Sequence, residues 1–192
     1  MTPPAGPPVR VERVCLIGYR GSGKSSVGRL LAARLGWEWI DTDERIAMTT
    51  GRSIREIFAT EGEPAFRALE KAAVIDALSQ QHAVISVGGG AVLDADSRRR
   101  MHDAALCVWL TAPVEILHER LAADPRGRME RPRLTELSEL EEIRALLTRR
   151  APYYREAAQL ALDTGQMTIE QAADQISQRL AAARAEPDAC PP

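Results

Sequence analysis

Five short apolar runs, "VERVCLIG", "WEWI", "AVISV", "ALCVWLTA" and "QLALD", alternate along this chain with amphipathic stretches of helical period. Runs that stay apolar without a period-two break must be covered on both faces. Strands joined through helices rather than tight turns run parallel, because the crossover returns the chain to the same end of the sheet. The alternation therefore predicts an α/β fold: three layers, α/β/α, around a central five-stranded parallel sheet. The expected helices cover approximately 24–35, 53–60, 64–80, 113–122, 138–151 and 168–184, the fourth entered through Pro113, a favoured first-turn residue.

At 192 residues the chain can bury a core without disulfides. One domain is expected over 11–183, between disordered Pro-rich tails at 1–10 and 184–192. The polar, Arg-rich stretch 123–136, with two prolines, reads as a mobile loop. A net charge of −2 gives no general attraction to nucleic acid or an anionic membrane. No run is long enough to span a bilayer, and "MTPPAGPPVR" lacks the apolar segment of a signal peptide, so a cytoplasmic chain is expected. Cys15 and Cys107 lie inside apolar runs as buried thiols, while Cys190 falls in the tail; neither a zinc site nor a disulfide framework is indicated.

Parallel sheets bind ligands beyond the carboxyl ends of their strands. Three such ends carry unusual residues: "GYRGSGKSS", "DTD" and "GGG". The first, Gly18 to Ser25, matches G-x-x-x-x-G-K-[ST] and lies between a strand and a helix, as that motif requires. Gly18, Gly21 and Gly23 let the backbone curl until successive N–H groups point at phosphate oxygens. The helix from Lys24 adds the positive end of its dipole. Lys24, one of only two lysines, can reach the β- and γ-phosphates, and the Ser25 hydroxyl can ligate Mg²⁺. A nucleoside triphosphate is the expected ligand. The GTPase signature N-K-x-D is absent, since the chain contains no asparagine. A compact kinase for a small molecule is favoured.

"IDTDERI" places Asp41 and Asp43 at i and i+2, so both face one side if the strand continues. One carboxylate near a metal and one near an accepting hydroxyl suit phosphoryl transfer. The alternative is an acidic helix N-cap before "ERIAM". In "EPAFRALEKAAVIDALSQ", Phe66, Leu69, Ala73 and Ala77 form an apolar stripe. Arg67 and Glu70, three apart, make a surface pair worth about 0.2–0.5 kcal/mol, or Arg67 offers its two-pronged donor to a substrate carboxylate. "SVGGGAV" has three successive glycines, where one suffices for a turn. Something packs flat against that backbone or takes hydrogen bonds from it.

Taken in order, "GSGKSSVG", "DTD", "FRALE", "SVGGGAV", "RPRL" and "RRAPYY" resemble the shikimate kinase family over Val14 to Ile176. The resemblance implies a P-loop kinase with a mobile lid at 123–136, transferring the γ-phosphoryl group of ATP to the 3-hydroxyl of shikimate. It implies nucleotide contacts from Gly21, Ser22, Gly23, Lys24, Ser25 and Ser26, with Arg120 stacking on adenine (Arg126 and Arg128 being alternatives). The loop "LDTGQMT" matches the one that wraps the adenine, without its customary proline. Ser25 and Asp41 match the residues that hold Mg²⁺. Asp43 matches the group that orients or deprotonates the accepting hydroxyl. Arg67 and Arg150 match the pair that grips the shikimate carboxylate. Gly88, Gly89 and Gly90 match the run whose amides meet the substrate, mainly through Gly89 and Gly90. Arg131 matches the lid cation that reaches the transferring phosphate, while Arg133 stands where the family has an apolar residue.

Lys24, Asp43 and Arg131 are thus the expected catalytic groups. A kinase for another hydroxy acid such as gluconate, and a non-catalytic nucleotide-binding module, are the competing readings. A monomer without macromolecular partners is expected. His82, His102 and His118 have no partner spacing and read as structural. Trp37 and Trp39 share a face, in the core or as a wall of the substrate site. Tyr153 and Tyr154 read as packing residues, and Arg98–Arg100 as a solvated helix face.

Overall fold

The computed structural model describes residues 11–124 and 138–185. Strands β1 (Arg13–Ile17), β2 (Glu38–Asp41), β3 (Ala83–Ser86), β4 (Leu106–Thr111) and β5 (Leu160–Asp163) form one sheet in the order β2-β3-β1-β4-β5. Every pairing is parallel, with Val14 beside both Val84 and Leu106. The helices are α1 (Lys24–Leu35), α2 (Thr42–Thr50), α3 (Ile54–Ser79), α4 (Ala95–Ala104), α5 (Val114–Ala122), α6 (Glu139–Ala157) and α7 (Ile169–Ala185).

The core divides by strand alternation. Val14 and Leu16 point into a cluster with Val27 and Leu31 of α1 and Ala173 and Ile176 of α7. Cys15 and Ile17 point the other way, towards Val74 of α3, Met101 of α4 and Tyr154 of α6. Helices thus cover both faces, as a parallel sheet requires. Because the chain leaves central β1 for one edge and returns from β3 to the opposite side, a crevice opens at the carboxyl end of β1. Among the described residues no helix is long and apolar enough to cross a membrane.

Helix α1 spans the residues expected of it, closed by Gly36 in the left-handed region with its N–H on the Ala32 carbonyl. The runs expected at 53–60 and 64–80 belong to one element, α3, broken at Gly62 (φ 80°) two residues before Pro64. Its start is a Ser53–Glu56 capping box. Two helices lie outside the ranges that periodicity gave, although the N-cap before "ERIAM" and the helix face at Arg98–Arg100 pointed to them. In α2 nine residues leave only Thr42 and Ile46 buried, too few for a periodic stripe. In α4 the buried face is Ser97, Arg98 and Met101, so hydrophobic periodicity says nothing. Arg98 corrects the solvated-face expectation: it is buried, donates to the Val92 and Leu93 carbonyls and lies over the Tyr153 ring. Arg99 and Arg100 are exposed on Asp96. Helix α6 continues through Pro152 to Ala157 instead of ending at 151, because Tyr154 and Ala157 are buried against the sheet. Helix α7 reaches Ala185, two residues into the expected tail.

Candidate active site

The crevice holds two adjoining cavities. The larger, about 490 Å³, runs from the glycine loop after β1 to Thr164, Met167 and Ile169 beyond β5. Its floor is set locally: Gly21 (φ 78°) and Gly23 (φ 91°) adopt backbone angles that side-chained residues resist, turning the loop into the start of α1. Lys24 folds back across this loop, its Nζ donating to the carbonyls of Gly18 and Tyr19 at 2.9 Å each. Gly21, Gly23, Ser25 and Ser26 border the cavity. Ser22 does not: it is wholly buried and its N–H is spent on the Tyr19 carbonyl at 3.2 Å, which turns it inward from a ligand.

At the end of β2 the strand stops at Asp41, so the expectation of two carboxylates on one continuing strand is corrected. Asp41 is the N-cap of α2, with Oδ1 accepting from the N–H groups of Asp43 and Glu44. Its Oδ2 accepts from the Ser25 hydroxyl at 3.2 Å. The cap reading and the site reading therefore coexist in one side chain. Asp43, in the first turn of α2, borders the same cavity.

Arg120 of α5 spans the far side. Its Nη1 donates to the Gly21 carbonyl and Thr164 Oγ1 at 3.2 and 3.1 Å, and its Nη2 to the Thr164 carbonyl at 2.7 Å. Thr164 is buried and also donates to the Ser22 carbonyl at 3.0 Å. This threonine, part of the "LDTGQMT" stretch, joins the glycine loop to the 163–168 loop.

The second cavity is walled by Phe58 and Phe66, whose ring centroids are 4.7 Å apart, with Arg67, Glu70, Gly90 and Arg150 as its polar lining. Glu70 is buried, which corrects the surface-pair reading. Its Oε2 accepts from Arg67 Nη1 at 2.6 Å, while Glu63 accepts from Nε and Nη2 at 3.1 and 2.8 Å. A guanidinium has five N–H groups. Three are spent here, leaving one on each terminal nitrogen for a further acceptor. Burial pushes the Glu70 carboxyl above its ordinary range, opposed by the charge and hydrogen bond of Arg67.

The glycine run answers to space, since none of Gly88, Gly89 and Gly90 has a positive φ. A Cβ on Gly90 would lie 2.2 Å from Arg67 Nη1, and one on Gly88 would lie 2.5 Å from Glu70 Oε1 and 2.9 Å from Asp43 Oδ1. What packs flat on this backbone is the protein's own charged groups. The N–H of Gly88 donates to Thr42 Oγ1 at 3.1 Å, so that amide is engaged within the protein. The Gly89 carbonyl accepts from Tyr154 Oη at 2.7 Å and from Arg150 Nη1 at 3.2 Å. In a planar trans peptide this turns the Gly90 N–H the opposite way. Burial raises the Tyr154 hydroxyl to about 12, keeping it a donor. Tyr154 is thus more than packing.

Arg131 lies outside the described residues, as do Arg126, Arg128, Arg133, Cys190 and all but the first two residues of the expected lid. Trp37 and Trp39 pack on the α1/α7 side of the core and border neither cavity. His102 sits near the Ala157 carbonyl and His118 beside Glu139, away from both cavities.

A phosphate cradle at the end of β1, opening beside a compact pocket with paired arginines, defines a class: P-loop kinases acting on a small molecule. The model of the family described as "Shikimate kinase" matches residues 20–181. The chain belongs to the shikimate kinase family. It is 38% identical over 163 residues to a shikimate kinase of Rhodopirellula baltica, covering 85% of this chain and 87% of that one. With a shikimate kinase of Nitratidesulfovibrio vulgaris it shares 44% over 148 residues, covering 77% and 84%. Its fold superposes with a TM-score of 0.83 and 34% identity on the shikimate kinase from Acinetobacter baumannii solved in complex with shikimate, covering 90% and 94% of the two chains.

Proposed function

We propose that this chain is a shikimate kinase in which the two cavities hold ATP and shikimate side by side. Family membership carries the reaction class, ATP-dependent phosphorylation of an alcohol. The observation that carries the assignment of sites is the guanidinium of Arg67, held in the pocket by two carboxylates with one N–H left on each terminal nitrogen. Such a fork selects a carboxylate-bearing acceptor.

On this reading the glycine loop, Lys24 and Ser26 cradle the triphosphate, and Arg120 with the 163–168 loop receives the adenine. Ser25 Oγ and Asp41 Oδ2, two hard oxygens at 3.2 Å, suit Mg²⁺, Asp41 acting directly or through water. Mg²⁺ bound there neutralises charge on the phosphate oxygens. Arg67 and Arg150 clamp the acceptor carboxylate, while the Gly89 and Gly90 amides meet its hydroxyls. The 3-hydroxyl oxygen forms a bond to the γ-phosphorus as the bond to the β,γ-bridging oxygen breaks. ADP departs with that electron pair, and the hydroxyl proton passes to Asp43. The transition state is loose, so positioning and cations carry most of the catalysis. The role given to Arg131 rests on the family resemblance alone. A monomeric, cytoplasmic enzyme with one kinase domain over 11–183 completes the proposal.

A coupled ADP-release assay tests it. Shikimate should stimulate release from Mg·ATP many-fold, and gluconate should not. Release that is the same with and without shikimate would remove the assignment.

Two further outcomes follow from the acceptor pocket. Gly90→Ala places a methyl group against Arg67 Nη1 at 2.2 Å, closer than any tolerated contact. The guanidinium must swing aside, so shikimate affinity should fall more than about tenfold, as expected for losing a charged hydrogen bond. Calorimetric binding of an ATP analogue should stay unchanged.

The second concerns pH. Protonating Glu70 discharges the group that aligns Arg67, so shikimate affinity should weaken as pH falls through a value above the ordinary ~4.3 of a glutamate. For stability the sign is opposite. A carboxyl whose folded value is raised adds stability below its unfolded value and loses it as pH rises through the folded value. Glu70→Gln should therefore stabilise the fold relative to the native chain at neutral pH, with an advantage that vanishes on acidification. Urea unfolding of both chains at matched pH values measures it; a pH-independent difference would contradict the account.

A further inference from the structure

A phosphoryl group passing from the glycine loop to the acceptor crosses the seam between the two cavities. Among the described residues only Arg20 and Gly89 border both. Gly89 has no side chain to offer. Arg20 has a guanidinium, at the third residue of the loop motif, a place where the motif accepts any residue. Binding a triphosphate therefore does not itself call for a cation there.

The surroundings hold this cation at the seam. Arg20 Nη2 donates to Glu142 Oε1 of α6 at 3.3 Å, and the Glu142 side chain is only 2% exposed. A buried carboxylate fixed on a helix gives the guanidinium a firm counter-charge on the side away from the cavities. That ion pair engages Nη2, and Nε is buried, so the part of this 30% exposed side chain that a ligand can reach is its terminal nitrogens. The Arg20 backbone N–H nitrogen also lies near Gly89, 3.7 Å from where a Cβ on that glycine would stand. Arg20 thus borders the pocket of Arg67 and Arg150 on one side and the cavity of Lys24 on the other, with its side chain 30% exposed.

We propose that Arg20 is a catalytic residue of the transfer, its guanidinium contacting the phosphoryl oxygens between donor and acceptor and remaining on the phosphate of the phosphorylated product. This rests on the kinase reading above. A cation at the seam meets the phosphoryl group best in mid-transfer, when charge spreads over its three outer oxygens, so it lowers the barrier more than it strengthens either substrate's binding. The bland alternative is a structural tie between the glycine loop and α6. That tie predicts lost stability and equal damage to all ligands.

The test compares Arg20→Ala, Arg20→Lys and the double variant Arg20→Ala/Glu142→Gln, which relieves the buried carboxylate left behind. ADP release gives kcat, calorimetry gives affinities for shikimate, shikimate 3-phosphate and an ATP analogue, and thermal unfolding reports the fold. Arg20→Ala should lower kcat by about 100-fold, the effect of removing one preorganised transition-state donor. It should weaken shikimate 3-phosphate by about tenfold or more while shikimate and the analogue shift less than about threefold, because only the product carries the phosphate. Arg20→Lys should fall between. The double variant should regain thermal stability without regaining turnover. Native kcat in Arg20→Ala, equal losses for shikimate and its phosphate, or turnover returning with stability in the double variant would each overturn the role of Arg20. A native chain that releases no ADP in response to shikimate removes the kinase reading and this proposal with it; an active native chain beside an unaffected variant removes Arg20 alone.

Discussion

Asp43→Asn will lower kcat for shikimate phosphorylation by about two to four orders of magnitude, the range for losing a positioned general base. Asparagine keeps the size and the hydrogen-bonding reach of the side chain but cannot take the hydroxyl proton. The start of α2 should persist, since the substitution keeps the Asp43 backbone N–H that Asp41 receives at 3.0 Å. Binding of ATP analogue and shikimate should change far less than turnover, so the loss appears in kcat and not in the dissociation constants. Steady-state ADP release paired with calorimetry separates the two. A variant within about threefold of native kcat would show that the proton leaves without Asp43.

Arg67→Ala carries the other large effect, in two currencies at once. It removes both N–H groups aimed at the acceptor carboxylate, each charged hydrogen bond being worth about 1.5–3 kcal/mol, so shikimate affinity should fall by at least about 100-fold. It also strands Glu70, whose side chain is 4% exposed against 26% for Arg67. Breaking a buried pair from one side costs about 3–5 kcal/mol, because the remaining charge stays desolvated. The exposed share of Arg67 and the continued access of Glu70 to the pocket place this case at the lower end. Arg67→Ala/Glu70→Gln should recover most of the stability in urea unfolding and none of the affinity. If the double variant binds shikimate like the native chain, Arg67 does not hold the carboxylate.

Much of this molecule was legible before any coordinates. Each apolar run marks one strand, and Cys15 and Cys107 are the buried neighbours their surroundings implied. Helix α1 is right to the residue because a glycine stands at each end and an apolar face lies between. The Ser25–Asp41 pairing follows from two strand ends meeting in one crevice. Other features left no local trace. Helix α4 buries an arginine where a periodicity reading requires an apolar stripe. Glu70 looks like any exposed i, i+3 partner until β3 and its glycines are laid against it. Thr42, Thr164 and Tyr154 act through single hydroxyls on backbone from distant segments: Gly88, Ser22 and Gly89.

The phosphate cradle was determined by sequence alone, since eight consecutive residues contain everything that shapes it: glycines that permit the curl, amides that line it and the helix that opens it. The acceptor pocket was decided only by tertiary structure. Its arginines come from α3 and α6 and meet at a backbone following β3, with Arg150 and the Gly89 carbonyl 61 residues apart in the chain. Which carboxylate becomes buried, which amide is already spent and which arginine borders both cavities depend on how separate elements pack. No stretch of sequence carries that information by itself, because burial is a property of what lies opposite.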